Sequence, residues 1–72
     1  MTHWQETIVR NLITAGMFGL SQTVVSRLVH NHVESPEVTN YLESLRAEGA
    51  VQRFRVDGAV HWRATQEIYN VV

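Results

Sequence analysis

The 72-residue chain has no cysteine and no lysine, a single proline, and no apolar run that approaches the length of a bilayer. Without cysteine there is no disulfide to staple a small fold and no thiolate to hold a metal, a usage that fits a reducing compartment. A membrane-spanning helix needs roughly 20 consecutive apolar residues, and no basic segment followed by an apolar stretch opens the chain as a secretory signal would. The expectation is a soluble, cytoplasmic protein. No internal repeat, low-complexity tract or Pro/Gly/Ser linker divides it, so residues 1–72 read as one domain. A domain this short buries a modest share of its surface, and its core must suffice alone or be completed by a partner.

The missing lysine leaves six arginines against seven acids, a net charge of −1. Dedicated nucleic-acid binders carry a clear positive excess, so the overall balance counts against that class. Arginine does favour bidentate contacts to phosphate or carboxylate. The positions of the six therefore matter more than their sum.

Thr2 and Gln5 stand in capping-box register, and Trp4, Ile8, Leu12 and Ala15 recur at spacings of three and four, with Val9 and Ile13 widening the stripe. This predicts a first helix over about residues 3 to 15, stopped at Gly16. Met17-Phe18-Gly19-Leu20 is too short and glycine-punctuated for a helix; it reads as a connector or a short first strand near 17–20, with Phe18 packed inward. Ser21 is placed as an N-cap, with Leu20 and Val25 as a hydrophobic staple, for a second helix over about 22 to 30. Thr23, Val24, Val25 and Val29 lower its helix propensity, and a strand is the alternative.

His30 to Glu34 read as a turn. Ser35, Pro36 and Glu37 then combine a cap residue, a proline in the first turn and an acid near the positive helix end, predicting a third helix that begins at Pro36. Val38, Tyr41, Leu42 and Leu45 form its buried stripe, which leaves Pro36, Asn40, Glu43 and Ala47 outermost. Gly49 ends it. Beyond, a two-residue Asp57-Gly58 turn would mix charged and apolar residues on the same face of both strands. A three-residue loop Val56-Asp57-Gly58 with a bulge pairs Phe54 with Val60 and Arg55 with Ala59. That register is the expected one: Phe54, Val60 and Trp62 on the core side, Arg53, Arg55, His61 and Arg63 together on the other. Residues 65–72 are too short to fold independently and too apolar for a frayed end, so they dock on the domain or meet another subunit.

Leu42-x-x-Leu45-x-x-x-Gly49-x-Val51, a helix that stops at glycine and runs into a hairpin, resembles the third helix and wing of winged helix-turn-helix domains. The order helix, connector, helix, turn, helix, hairpin extends the resemblance over residues 3 to 64. It implies an α+β fold of three helices followed by a two-stranded β-hairpin wing. In DNA-binding members the third helix enters the major groove and the wing touches adjoining backbone or minor groove. The resemblance therefore implies groove contacts from Ser35, Thr39, Asn40, Ser44 and Arg46, and wing contacts from Arg53, Arg55, His61 and Arg63. Glu37, Glu43 and Glu48 depart from the usual chemistry of a recognition helix, because acids repel the duplex.

Three arginines each neutralising a phosphate would give a log-log salt slope of about −2.7, weak for a specific site. A homodimer through Ile68, Tyr69, Val71 and Val72 would double the contacts. The expected function is thus a small DNA-binding protein, a transcriptional regulator or accessory factor acting on double-stranded DNA, without cofactors. The alternative is a winged-helix module that binds another protein. A metal reading of His30, His32 and Glu34 is weaker, because histidines at i and i+2 diverge and no fourth ligand is spaced to join them. There is no nucleophile elbow or glycine-rich phosphate loop, and Ser21 and Ser35 are explained as helix caps, so no enzyme is expected.

Overall fold

The computed structural model describes residues 1–71, in the order α1 (His3–Ala15), a 3-10 turn (Gly16–Phe18), β1 (Leu20–Ser21), α2 (Gln22–Val29), α3 (Ser35–Ala47), β2 (Val51–Val56), β3 (Ala59–Ala64) and a C-terminal 3-10 turn (Gln66–Asn70). The fold is α+β, three helices and then an antiparallel hairpin, in a winged-helix-like layout. The sheet runs β1-β3-β2, so β3 is central and β2 is an edge.

Local chemistry accounts for the helix boundaries. The Thr2 hydroxyl accepts from the Gln5 amide at 3.3 Å while the Gln5 side chain accepts from the Thr2 amide at 2.9 Å, closing the capping box of α1. Ser21 caps α2 through the Val24 amide at 3.1 Å. At α3 the expected cap moves by one residue: Glu34 is extended and its carbonyl accepts from the Glu37 and Val38 amides, so Ser35 is the first helical residue and makes no capping bond. The helices bury Ile8, Val9 and Leu12, then Val25 and Val29, then Val38, Leu42 and Leu45, around a fully buried Trp62 from β3. Trp4 meets Tyr41 edge-on at 5.4 Å and ties α1 to α3. Burial lifts the Tyr41 phenol above its ordinary 10.0, and the Glu48 carboxylate adds to the lift.

The hairpin departs from the expected register. Phe54 pairs with His61, Arg55 with Val60 and Val56 with Ala59, across the two-residue turn Asp57-Gly58. Both turn residues take positive φ, 51° and 82°, the backbone that a tight hairpin of matching twist requires. Val51, Arg53 and Arg55 consequently share the helix-facing side with Val60, Trp62 and Ala64, and Phe54 lies on the outer side with His61 and Arg63. Charge is tolerated on the inner side because β2 is an edge strand. Past Val51 the inner side opens onto the polar flank of α3, where Arg53 reaches Glu43 at 2.7 Å.

One further expectation is corrected, and one of the two readings of the tail is met. The first strand forms at Leu20–Ser21, paired with Trp62 and His61, and Phe18 points outward, 91% exposed. Gly19 lies against the Trp62 carbonyl, which seats the turn directly on the β3 backbone. The tail docks on its own domain: Thr65 donates its amide to the Ala50 carbonyl and its hydroxyl to the Gly49 carbonyl, and Ile68 enters the core at 1% exposure. Ile68 thus spends most of its side chain on the core of its own domain. Val71 is half-buried against the same core and Tyr69 is exposed, while Val72 lies outside the described residues.

Candidate nucleic-acid interface

The exposed face of α3 begins with Ser35, Thr39 and Asn40. Thr39 is held by a relay that the sequence pattern does not reveal. The buried Trp62 indole N–H donates to Gln22 Oε1 at 2.7 Å, and the other end of that amide, Nε2, donates to the Thr39 hydroxyl oxygen at 3.1 Å. Because an indole can only donate, the Gln22 oxygen must face Trp62 and its nitrogen must face Thr39. The Thr39 oxygen is thereby used as an acceptor, and its own hydrogen has no acceptor among the described residues. Gln22 is the residue that periodicity missed, since its partners lie 17 and 40 positions away.

The C-terminal half of the same face is differently occupied. Ser44 donates its hydroxyl to the Tyr41 carbonyl at 2.6 Å, a local bond that spends its only donor. Arg46 sits 3.4 Å from one Glu43 oxygen and Arg53 sits 2.7 Å from the other. One carboxylate thus bridges a helix arginine and a wing arginine, lowering the positive potential where the two elements meet.

The four expected wing residues are divided by the register. Arg53 and Arg55 emerge on the helix-facing side, His61 and Arg63 on the outer side. Arg55 folds back on the turn and donates to the Gly58 carbonyl at 3.1 Å, and His61 Nδ1 lies 3.1 Å from the Ala59 carbonyl. Arg63 lies over the Phe54 ring, 4.4 Å from its centre, and donates to Gln52 at 2.9 Å, so stacking and a hydrogen bond fix its guanidinium. No single arginine face exists. The arginines gather around the β2 edge instead: Arg46, Arg53 and Arg63 all line an open groove of about 520 Å³ floored by Gly49, Val51, Gln52 and Thr65.

The remaining polar cluster stays local. His30 Nδ1 lies 2.8 Å from the Arg27 carbonyl, and the His32 ring packs edge-on to His3 at 6.1 Å. Among the described residues, no three His, Asp or Glu side chains gather as a metal-binding set, and no helix is long and apolar enough to cross a membrane. No family model, characterised protein or solved structure matches the chain. The site therefore has to be read from its own geometry.

Proposed function

We propose that this chain is a small DNA-binding winged-helix protein, a transcriptional regulator or accessory DNA-binding factor that works without a cofactor. The observation that carries the reading is the groove where Arg46, Arg53 and Arg63 meet, at the C-terminal end of the helix whose N-terminal half exposes Ser35, Thr39 and Asn40. Guanidinium groups match phosphate oxygens bidentately, and the hydroxyls and the amide suit phosphate and base edges. In this reading α3 lies in the major groove, with Asn40 able to pair with adenine, and the arginine groove straddles a neighbouring phosphate run.

Glu43 sets the limit on affinity. It must release Arg46 and Arg53, or share them, for both to reach phosphates, and such exposed pairs cost little to open. Glu43 is also the observation that favours the second reading, a module that binds another protein, because it neutralises the charge that DNA would need. Fluorescence anisotropy with a labelled random duplex at low salt separates the two. The DNA reading predicts binding with a log-log salt slope of about −2.7 for three phosphate contacts. Joint replacement of Arg53 and Arg63 by Ala should reduce the slope to about −0.9. A protein whose anisotropy is indifferent to duplex at low salt belongs to the second reading.

A further inference from the structure

The least explained part of the molecule is Gly16-Met17-Phe18-Gly19. A small protein gains nothing from holding a phenylalanine 91% exposed beside a methionine 84% exposed, yet this segment is firmly built. It is a hydrogen-bonded 3-10 turn, with the Gly19 amide donating to the Gly16 carbonyl at 3.2 Å. Gly16 and Gly19 take φ of 60° and 66°, and Gly19 is wedged against the backbone of Trp62, which itself is locked in the core. The two side chains are displayed by a rigid support.

Directly beside this knob is a hole. Ile13, Met17, Ala64, Ile68 and Tyr69, together with the polar Thr65 and Gln66, border an open groove of about 270 Å³, and Tyr69 is itself 60% exposed. An apolar cavity of about 150 Å³ accepts a benzene ring. The groove is thus large enough for a phenyl side chain, and Phe18 follows directly on Met17, which borders it. A knob and a matching hole side by side on one surface are what a two-fold interface needs, because each copy then offers its knob to the hole of the other.

From this we infer that the Met17-Phe18 turn and the Tyr69 groove form a self-complementary surface on which a second copy of this chain docks, each Phe18 entering the groove of the other. Two considerations select a second copy over another occupant. Aromatic side chains bury about 150–250 Å² each, so Met17, Phe18 and Tyr69 at their present exposure offer roughly 450 Å² per copy. If these side chains were covered completely, the two-fold pair would bury about 900 Å², just under the ~1,000 Å² that a stable specific interface clears, which makes the dimer a weak, transient one. The groove border and knob also carry no acid, arginine or histidine, so two identical surfaces meet without like-charge repulsion, and nothing there selects an acidic or basic partner. The inference is independent of DNA binding.

Sedimentation of the full chain, without DNA, tests it over a range reaching about 1 mM, the affinity regime of small interfaces. The expected result is a monomer–dimer equilibrium whose dissociation constant rises about thirtyfold in Phe18→Glu, the loss typical of a central aromatic anchor. Far-UV circular dichroism should be unchanged in that variant, because Phe18 contributes nothing to the core. Amide shifts of the unmodified protein supply a measurement that needs no variant: concentration dependence should be confined to residues 13–19 and 64–69. A monomer at the highest concentration, a dimer indifferent to Phe18→Glu, or concentration-dependent shifts elsewhere would each overturn the proposal. Binding of the monomer to phosphatidylcholine vesicles would overturn it too, by assigning the turn to a membrane.

Discussion

Gly19 shows how much can depend on one missing atom. Its φ of 66° is already costly for an L side chain, and a Cβ there would collide with the Trp62 carbonyl. Gly19→Ala is therefore expected to destabilise the fold by about 3 kcal/mol or more in urea unfolding, whereas Gly16→Ala, with nothing within 4 Å, should cost only the backbone strain of about 1–3 kcal/mol. Gln22 is the second residue of this kind. Gln22→Leu leaves the buried Trp62 N–H without its acceptor, so it should lower stability by about 1–3 kcal/mol and free the Thr39 hydroxyl to rotate. If the variant unfolds at the unmodified midpoint, the relay has no structural weight.

At the scale of elements, the boundaries follow from neighbours in sequence and the sheet faces do not. Thr2 with Gln5, and Ser21 with Val24, announce α1 and α2 because a cap and its amide are three residues apart. Leu42, Leu45, Gly49 and Val51 announce the passage from α3 into the hairpin for the same reason. The hairpin register is not legible in the sequence, because alternation alone places Phe54 inward. It carries no information that β2 is an edge or that Glu43, ten residues earlier, can receive Arg53. The outward Phe18 is likewise not legible, because hydrophobicity says what a residue prefers and not which way a glycine-flanked turn points it. Of the candidate site, the exposed helix residues were legible from the 3.6-residue period. The meeting of Arg46 with Arg53 and Arg63 was not, since it depends on that register.

The Glu43 bridge belongs to the same scale, joining α3 to the wing. Both its arginines are more than a third exposed, so Glu43→Gln should cost no more than about 1 kcal/mol in thermal or urea unfolding. The same change releases two guanidinium groups and removes a negative charge that, in the proposed function, would face the duplex. Affinity for random DNA at low salt should therefore rise, with a steeper salt slope. An unchanged or weaker affinity would mean that Arg46 and Arg53 do not touch phosphate.

For the whole molecule, the net charge of −1 is misleading as an average. Three of six arginines meet at one edge, whereas Arg10 is paired with Glu6 on α1, and the acids Glu34 and Glu37 sit at the other end of α3. An uneven distribution of this kind can hold a weak polyanion site on a protein that is slightly acidic overall. The core that supports it rests on Trp62 and the helix stripes, with no disulfide to add to it. The most direct test of the account is amide mapping of the folded protein as a random duplex is added at low salt. The account predicts shifts in residues 35–46 and 53–63 that reverse when salt is raised. An unperturbed spectrum at millimolar duplex would contradict it.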